Sequence, residues 1–105
     1  MFHDMWIAGP VNTLVRHHAN TTAPTWLYHL PRIPPTEMGA TLGSHHSAEI
    51  PYVFGNLLNQ DNQSAENPVS HPMMVGDWTE LDHMLSEAMT AYWTQFSATG
   101  DPNRE

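Results

Sequence analysis

The sequence contains no cysteine and no lysine. Without cysteine there is no disulfide framework, no thiol nucleophile and no thiolate-ligated zinc. Without lysine, the Lys+Arg count falls to 3 against 11 acidic residues, a formal net charge of -8. Such a chain repels phosphate backbones and anionic headgroups. That sets aside nucleic-acid binding and argues against docking to an anionic membrane. Charge of either sign is scarce, at 13% of 105 residues, about half the ~25% of ordinary soluble proteins. No apolar run approaches the ~18–20 residues of a membrane span. The opening residues MFHDMWIAGP carry neither the basic stretch nor the apolar core of a secretory leader.

What is present is apolar, aromatic and proline-rich. Hydrophobic residues make up 40%, with four Trp, three Tyr and three Phe beside nine Pro and eight His. That is enough to build a core, and the length fits one domain. So few charges on so small a domain suit the interior of something larger, and the expectation is that this chain is part of a bigger protein.

The chain predicts few regular elements. Pro10 suits a first helical turn, and Val11, Leu14, Val15 and His18 share one face, so a helix is expected over Pro10–Ala19. Thr25–Leu30, short, aromatic and bounded by prolines, reads as a strand covered on both faces. Pro31 to about Ser47 reads as a long loop, the kind that is uncommon unless functional. Glu49–Phe54 is apolar and expected to be buried, closing at Gly55. Asn56–Pro72 reads as a surface excursion. The clearest element comes last: Leu81, Met84, Leu85, Ala88, Met89, Tyr92, Trp93 and Phe96 form one apolar stripe at helical spacing. Thr79 with Asp82 makes a capping box, Gly100 is placed as the left-handed stop, and Pro102 prevents continuation.

Candidate chemistry is sparse. His17 and His18 are adjacent and point about 100° apart on a helix, so they do not easily share an ion. His46 and Glu49 form one weak pair, short of the three or four ligands a metal needs. No G-x-S-x-G elbow, no pair of glycosidase carboxylates and no phosphate-binding glycine loop is recognisable.

Two segments rise above this background. Gly43-Ser44-His45-His46-Ser47-Ala48-Glu49-Ile50-Pro51-Tyr52-Val53-Phe54-Gly55 resembles the histidine segment of the type-B carboxylesterases, a branch of the α/β-hydrolases, which reads G-x-x-H-[GS]-x-E-[IL]-x-[YF]-V-F-G. Ser86 to Asn103 is similar to the family's late helix, which commonly ends Y-W-x-x-F-A-x-x-G-D-P-N. The two occur in the family's order, and Thr25–Leu30 before them resembles the strand that precedes the histidine loop.

The resemblance implies an α/β class and a partial α/β-hydrolase fold: a helix, one late sheet strand, a long histidine loop and a long amphipathic helix. Residues 1–105 would be the C-terminal part of a single carboxylesterase domain, incomplete by itself. It implies that His46 is the catalytic base, taking a proton from a serine and returning it to the leaving alcohol. His46 is preferred over His45 because Glu49 lies three residues after it. His45 would line the cleft, and Glu49 would be a buried, hydrogen-bonded support. The serine and the triad acid are absent, and neither Asp4 nor Glu37 matches the acid's motif. The implied partners are a small carboxylic ester and the missing N-terminal portion of the same fold, with no metal or organic cofactor. The isolated chain is expected to be inactive. The alternatives are a small acidic binding or structural protein derived from such a piece, and a His-rich metal binder.

Overall fold

The computed structural model describes residues 4–59 and 73–103. A π-helical turn, Asp4–Ala8, runs into helix α1, Gly9–His18. Pro10 stands in its first turn, where a missing N–H costs nothing. Arg16, His17 and His18 stand in its last turn, where cations complement the negative helix end. No α1 residue is buried, and among the described residues α1 packs on no other helix.

The expected strand at Thr25–Leu30 is not formed: no strand is present among the described residues. The period of its contacts is nevertheless that of an extended chain. Trp26 meets Phe96 edge-on at 6.0 Å, Tyr28 meets Trp93 at 6.2 Å, and Leu30 packs on the core. Alternate residues therefore face one way, as in a strand. What is lacking is a neighbour. Among the described residues no main-chain hydrogen bond pairs the backbone of residues 26–29, and a strand exists only as part of a ladder.

The loop expected from Pro31 to Ser47 contains a helix, α2, Glu37–Leu42. The Thr36 hydroxyl accepts the Gly39 N–H at 3.0 Å and caps it, and Gly43 ends it at φ 70°. Ile50–Phe54 forms α3, with Gly55 in the left-handed conformation at its end. Of the stretch expected to be buried, Pro51 and Tyr52 are, whereas Phe54 is 70% exposed, on the side of α3 away from the Ser86 and Thr90 hydrogen bonds. Beyond it Leu57 is buried, and Leu58 makes an isolated parallel bridge with Val75. Most of the excursion expected at Asn56–Pro72 lies outside the described residues.

Helix α4, Glu80–Thr99, carries the full capping box between Thr79 and Asp82 and stops at Gly100, φ 75°. α3 lies against it. Ser86 donates to the Tyr52 carbonyl at 2.6 Å, which also accepts the Gly55 N–H, and Thr90 donates to the Val53 carbonyl at 2.9 Å, so α4 serves the carbonyls at the end of α3. Tyr52, Leu57, Trp78 and Met89 form the core, with Leu30, Val53 and Leu85 packed around it.

The apolar stripe of α4 is only half covered. At about 100° per residue, Leu85, Met89, Trp93 and Phe96 lie on one side and Leu81, Met84, Ala88 and Tyr92 on the other. The first side meets the core or the aromatic segment. On the second, Leu81 is 59% exposed, Met84 60% and Tyr92 53%. The rest of the described chain is too small to cover both.

Candidate active site

His46 sits in the turn between α2 and α3, and residues with positive φ stand on both sides of it. Gly43 has φ 70°, and Ser47 has φ 68°, the one non-glycine residue with positive φ among those described. Such a conformation costs an L-residue about 1–2 kcal/mol, which accounts for the resembled motif allowing glycine at that position. The turn is held by the Ala48 N–H on the His45 carbonyl (3.1 Å) and the Ile50 N–H on the Ser47 carbonyl (3.2 Å). Ser44 ties it back to the aromatic segment by donating to the Leu30 carbonyl at 2.8 Å.

The two histidines of the turn differ. The His45 Nδ1 lies 2.8 Å from the His46 carbonyl, so it carries a proton and donates there, while its Nε2 is buried without a partner among the described residues. The His46 ring is exposed and has no hydrogen bond among the described residues. Both line a cleft of about 580 Å³ whose walls include Glu49, Leu27 and His29, with Val11 contributed by α1. An imidazole with a free ring nitrogen beside a cleft can accept a proton and give it back.

Other groups that such chemistry uses are not gathered here. Glu49 is half-buried and, contrary to expectation, accepts no hydrogen bond among the described residues. Its charge acts on Tyr28, whose phenol is pushed up first by burial and then by Glu49. Ser44 and Ser86 spend their hydroxyls on backbone carbonyls. No group of three or more His, Asp or Glu that could hold a metal is present among the described residues.

A second polar cluster lies at the start of α4, around Asp82. Asp82, read only as a helix cap, is wholly buried. Arg32 grips it with both arms, Nε to Oδ1 at 2.8 Å and Nη2 to Oδ2 at 3.0 Å. Tyr52 donates to Oδ1 at 2.9 Å, and Thr79 donates to Oδ2 from its N–H (3.0 Å) and its hydroxyl (2.8 Å). Burial by itself would raise the Asp82 carboxyl. The donors from Arg32, Thr79 and Tyr52 overcome it and hold the group well below the usual carboxylate range. The one available signal was the scarcity of cations: an arginine set among prolines and apolar residues needs a carboxylate partner.

Among the described residues, no serine hydroxyl and no carboxylate is hydrogen-bonded to the His46 ring. The model of the Carboxylesterase family matches residues 1–105. The chain belongs to the carboxylesterase family, whose fold is the α/β-hydrolase fold. It is 31% identical to Carboxylesterase 5A of Canis lupus familiaris over 97% of its length, and 35% identical to bile salt-activated lipase of Homo sapiens over 86%. It is 28% identical to the medium-chain fatty acyl-CoA hydrolase precursor of Anas platyrhynchos over 88%. The chain spans 17%, 10% and 14% of the lengths of those relatives. No solved structure matches it.

Proposed function

We propose that these residues are the histidine-bearing, C-terminal part of a carboxylic-ester hydrolase domain, with His46 as general base. The observation that carries this reading is the His46 ring, exposed and free of hydrogen bonds beside a cleft, in the segment that resembles the family's histidine motif. In this reading a serine from the remainder of the domain gives its proton to His46 and attacks the ester carbonyl. The alkoxide leaves with that proton, and water releases the acyl group by the reverse relay. Ester hydrolysis needs no metal or organic cofactor by this route. The bare side of α4 and the unpaired edges of residues 26–29 support the presence of such a remainder as partner.

The test is hydrolysis of a p-nitrophenyl short-chain ester. The 105-residue chain alone turns over no faster than free imidazole, because it lacks nucleophile and oxyanion donors. In a full carboxylesterase chain carrying these residues, His46→Ala lowers kcat/KM by about 10⁴-fold or more. His45→Ala lowers it by less than about tenfold, the effect of a lining residue. Activity that survives His46→Ala refutes the assignment.

A further inference from the structure

We infer that Asp82 is a positioning residue for the histidine turn: a single buried carboxylate staples the chain on both sides of it, through Arg32 before and Tyr52 after. For its catalytic consequence the inference rests on His46 being the base, whereas the mechanical claim stands without it.

A helix cap alone does not account for this carboxylate. Capping uses Oδ2, which accepts from Thr79, and an exposed aspartate does that as well. Burying a carboxylate completely is costly unless each oxygen is matched by strong donors. Oδ1 takes no part in the cap: it accepts from Arg32 and Tyr52. Those two residues bracket residues 33–51, the stretch that holds α2, the turn and His46. The phenol of Tyr52 is pushed well above its ordinary range, first by burial and then by the bond to Asp82, so it stays protonated and remains a donor.

The rest of the bracket is consistent with one clamp. Tyr52 is fixed a second time, at its carbonyl, by Ser86. Ser86 lies one turn beyond Asp82 on the same face of α4. Arg32 follows Leu30, whose carbonyl receives the Ser44 hydroxyl at the start of the turn. Both flanks of the turn are thus referred to the first turns of α4. A base must hold its ring to within about 0.5 Å of the productive position, and with no hydrogen bond to the ring itself among the described residues that placement falls to the anchors of the turn, whose outer ends are the bonds to Asp82.

Amide hydrogen exchange read by mass spectrometry, on the protein as its gene encodes it, tests the staple. In Arg32→Met and Asp82→Asn, residues 44–52 exchange about tenfold faster or more, while residues 91–99 of α4 keep their rate, as expected of a local opening. Tyr52→Phe, which removes a single oxygen, shows the same pattern with a smaller factor and covers the case in which Asp82→Asn does not fold. Where the protein hydrolyses an ester, Arg32→Met lowers kcat with KM held within about twofold, the mark of lost positioning rather than lost binding.

The inference is overturned if residues 44–52 are unprotected before any substitution. It is equally overturned if they keep their rate in Arg32→Met and Tyr52→Phe, or if residues 91–99 accelerate by the same factor, since the carboxylate then serves the whole fold equally. Exchange that changes as stated while activity survives His46→Ala removes the base and leaves the staple. The converse result removes the staple and leaves the base.

Discussion

The Tyr52 hydroxyl donates a hydrogen bond to Asp82 across 2.9 Å, in the interior where neither side chain meets solvent. The pair is expected to contribute to stability at both ends of the pH range. Asp82 has a folded pKa below its unfolded one, so its contribution is complete above the unfolded value, about 3.9, and is lost as pH falls through the folded one. Tyr52 has a folded pKa above its unfolded one, so its contribution is complete below about 10 and is lost as pH rises further. Thermal melts read by circular dichroism should therefore show a plateau with an acid and an alkaline arm. Tyr52→Phe should flatten the alkaline arm and make the acid one shallower, since Asp82 loses one of the donors that hold its carboxyl low. An alkaline arm of unchanged depth in that variant would show that other groups produce it.

Arg32→Ala should be the most damaging single change in the cluster. It leaves Asp82 buried and short of its only cation among the described residues, and removing one partner of a buried pair costs about 3–5 kcal/mol. Because the Arg32 side chain is itself partly exposed, the lower end of that range is expected. Denaturant unfolding gives the number, and a loss under about 1 kcal/mol would place the pair with ordinary surface bridges.

Gly39 should tolerate no side chain. A Cβ there would stand 1.9 Å from the Pro34 carbonyl oxygen, backbone that cannot yield. Gly39→Ala is expected to cost about 1–3 kcal/mol through forced displacement. Gly43→Ala meets no atom within 4 Å and pays only for its backbone, φ 70° and ψ -144°, which glycine alone adopts readily, about 1–3 kcal/mol. Comparing the two melts separates crowding from backbone strain.

Ser47→Gly should stabilise the chain by up to about 1 kcal/mol, since glycine adopts the left-handed conformation without penalty. Ser47→Val should destabilise it by more than that, because a β-branched residue fits that region worst. A melting point that moves down in the glycine variant would mean that the hydroxyl has a task its contacts do not reveal.

Leu81 and Met84 should bind a hydrophobic dye. Leu81→Gln with Met84→Gln is expected to reduce dye fluorescence while changing stability by no more than about 0.5 kcal/mol per site, as for exposed positions. A large loss of stability would mean that the stripe is already covered in solution.

The sequence made some of this legible and not the rest, for physical reasons. α4 was readable because its determinants are local: a capping residue three before its acid, an unbroken stripe and a glycine at the stop. α1 was readable from one proline and a short periodicity. α2 was hidden by Pro34, Pro35 and two glycines, which argue against a helix until Thr36 is seen to cap it. Thr25–Leu30 has strand chemistry, but no residue type can supply the absent neighbour that makes a ladder. His46 was singled out by a motif, and the cleft beside it depends on α1, the aromatic segment and the turn coming together. The Arg32–Asp82 pair spans 50 positions, and nothing local to either residue names the other.

One small feature has a practical use. The parallel bridge between Leu58 and Val75 draws the chain together with two bonds, the Leu58 N–H to the Met74 carbonyl at 2.9 Å and the Gly76 N–H to the Leu58 carbonyl at 3.1 Å. The bridge therefore holds Leu58 and Val75 at one separation, and that separation is the condition the connection between them must meet. Doubling a connection closed in this manner costs only about 0.6 kcal/mol in chain entropy. Splicing a short reporter between Asn59 and Met73 and comparing the melts would show whether a longer connection is tolerated.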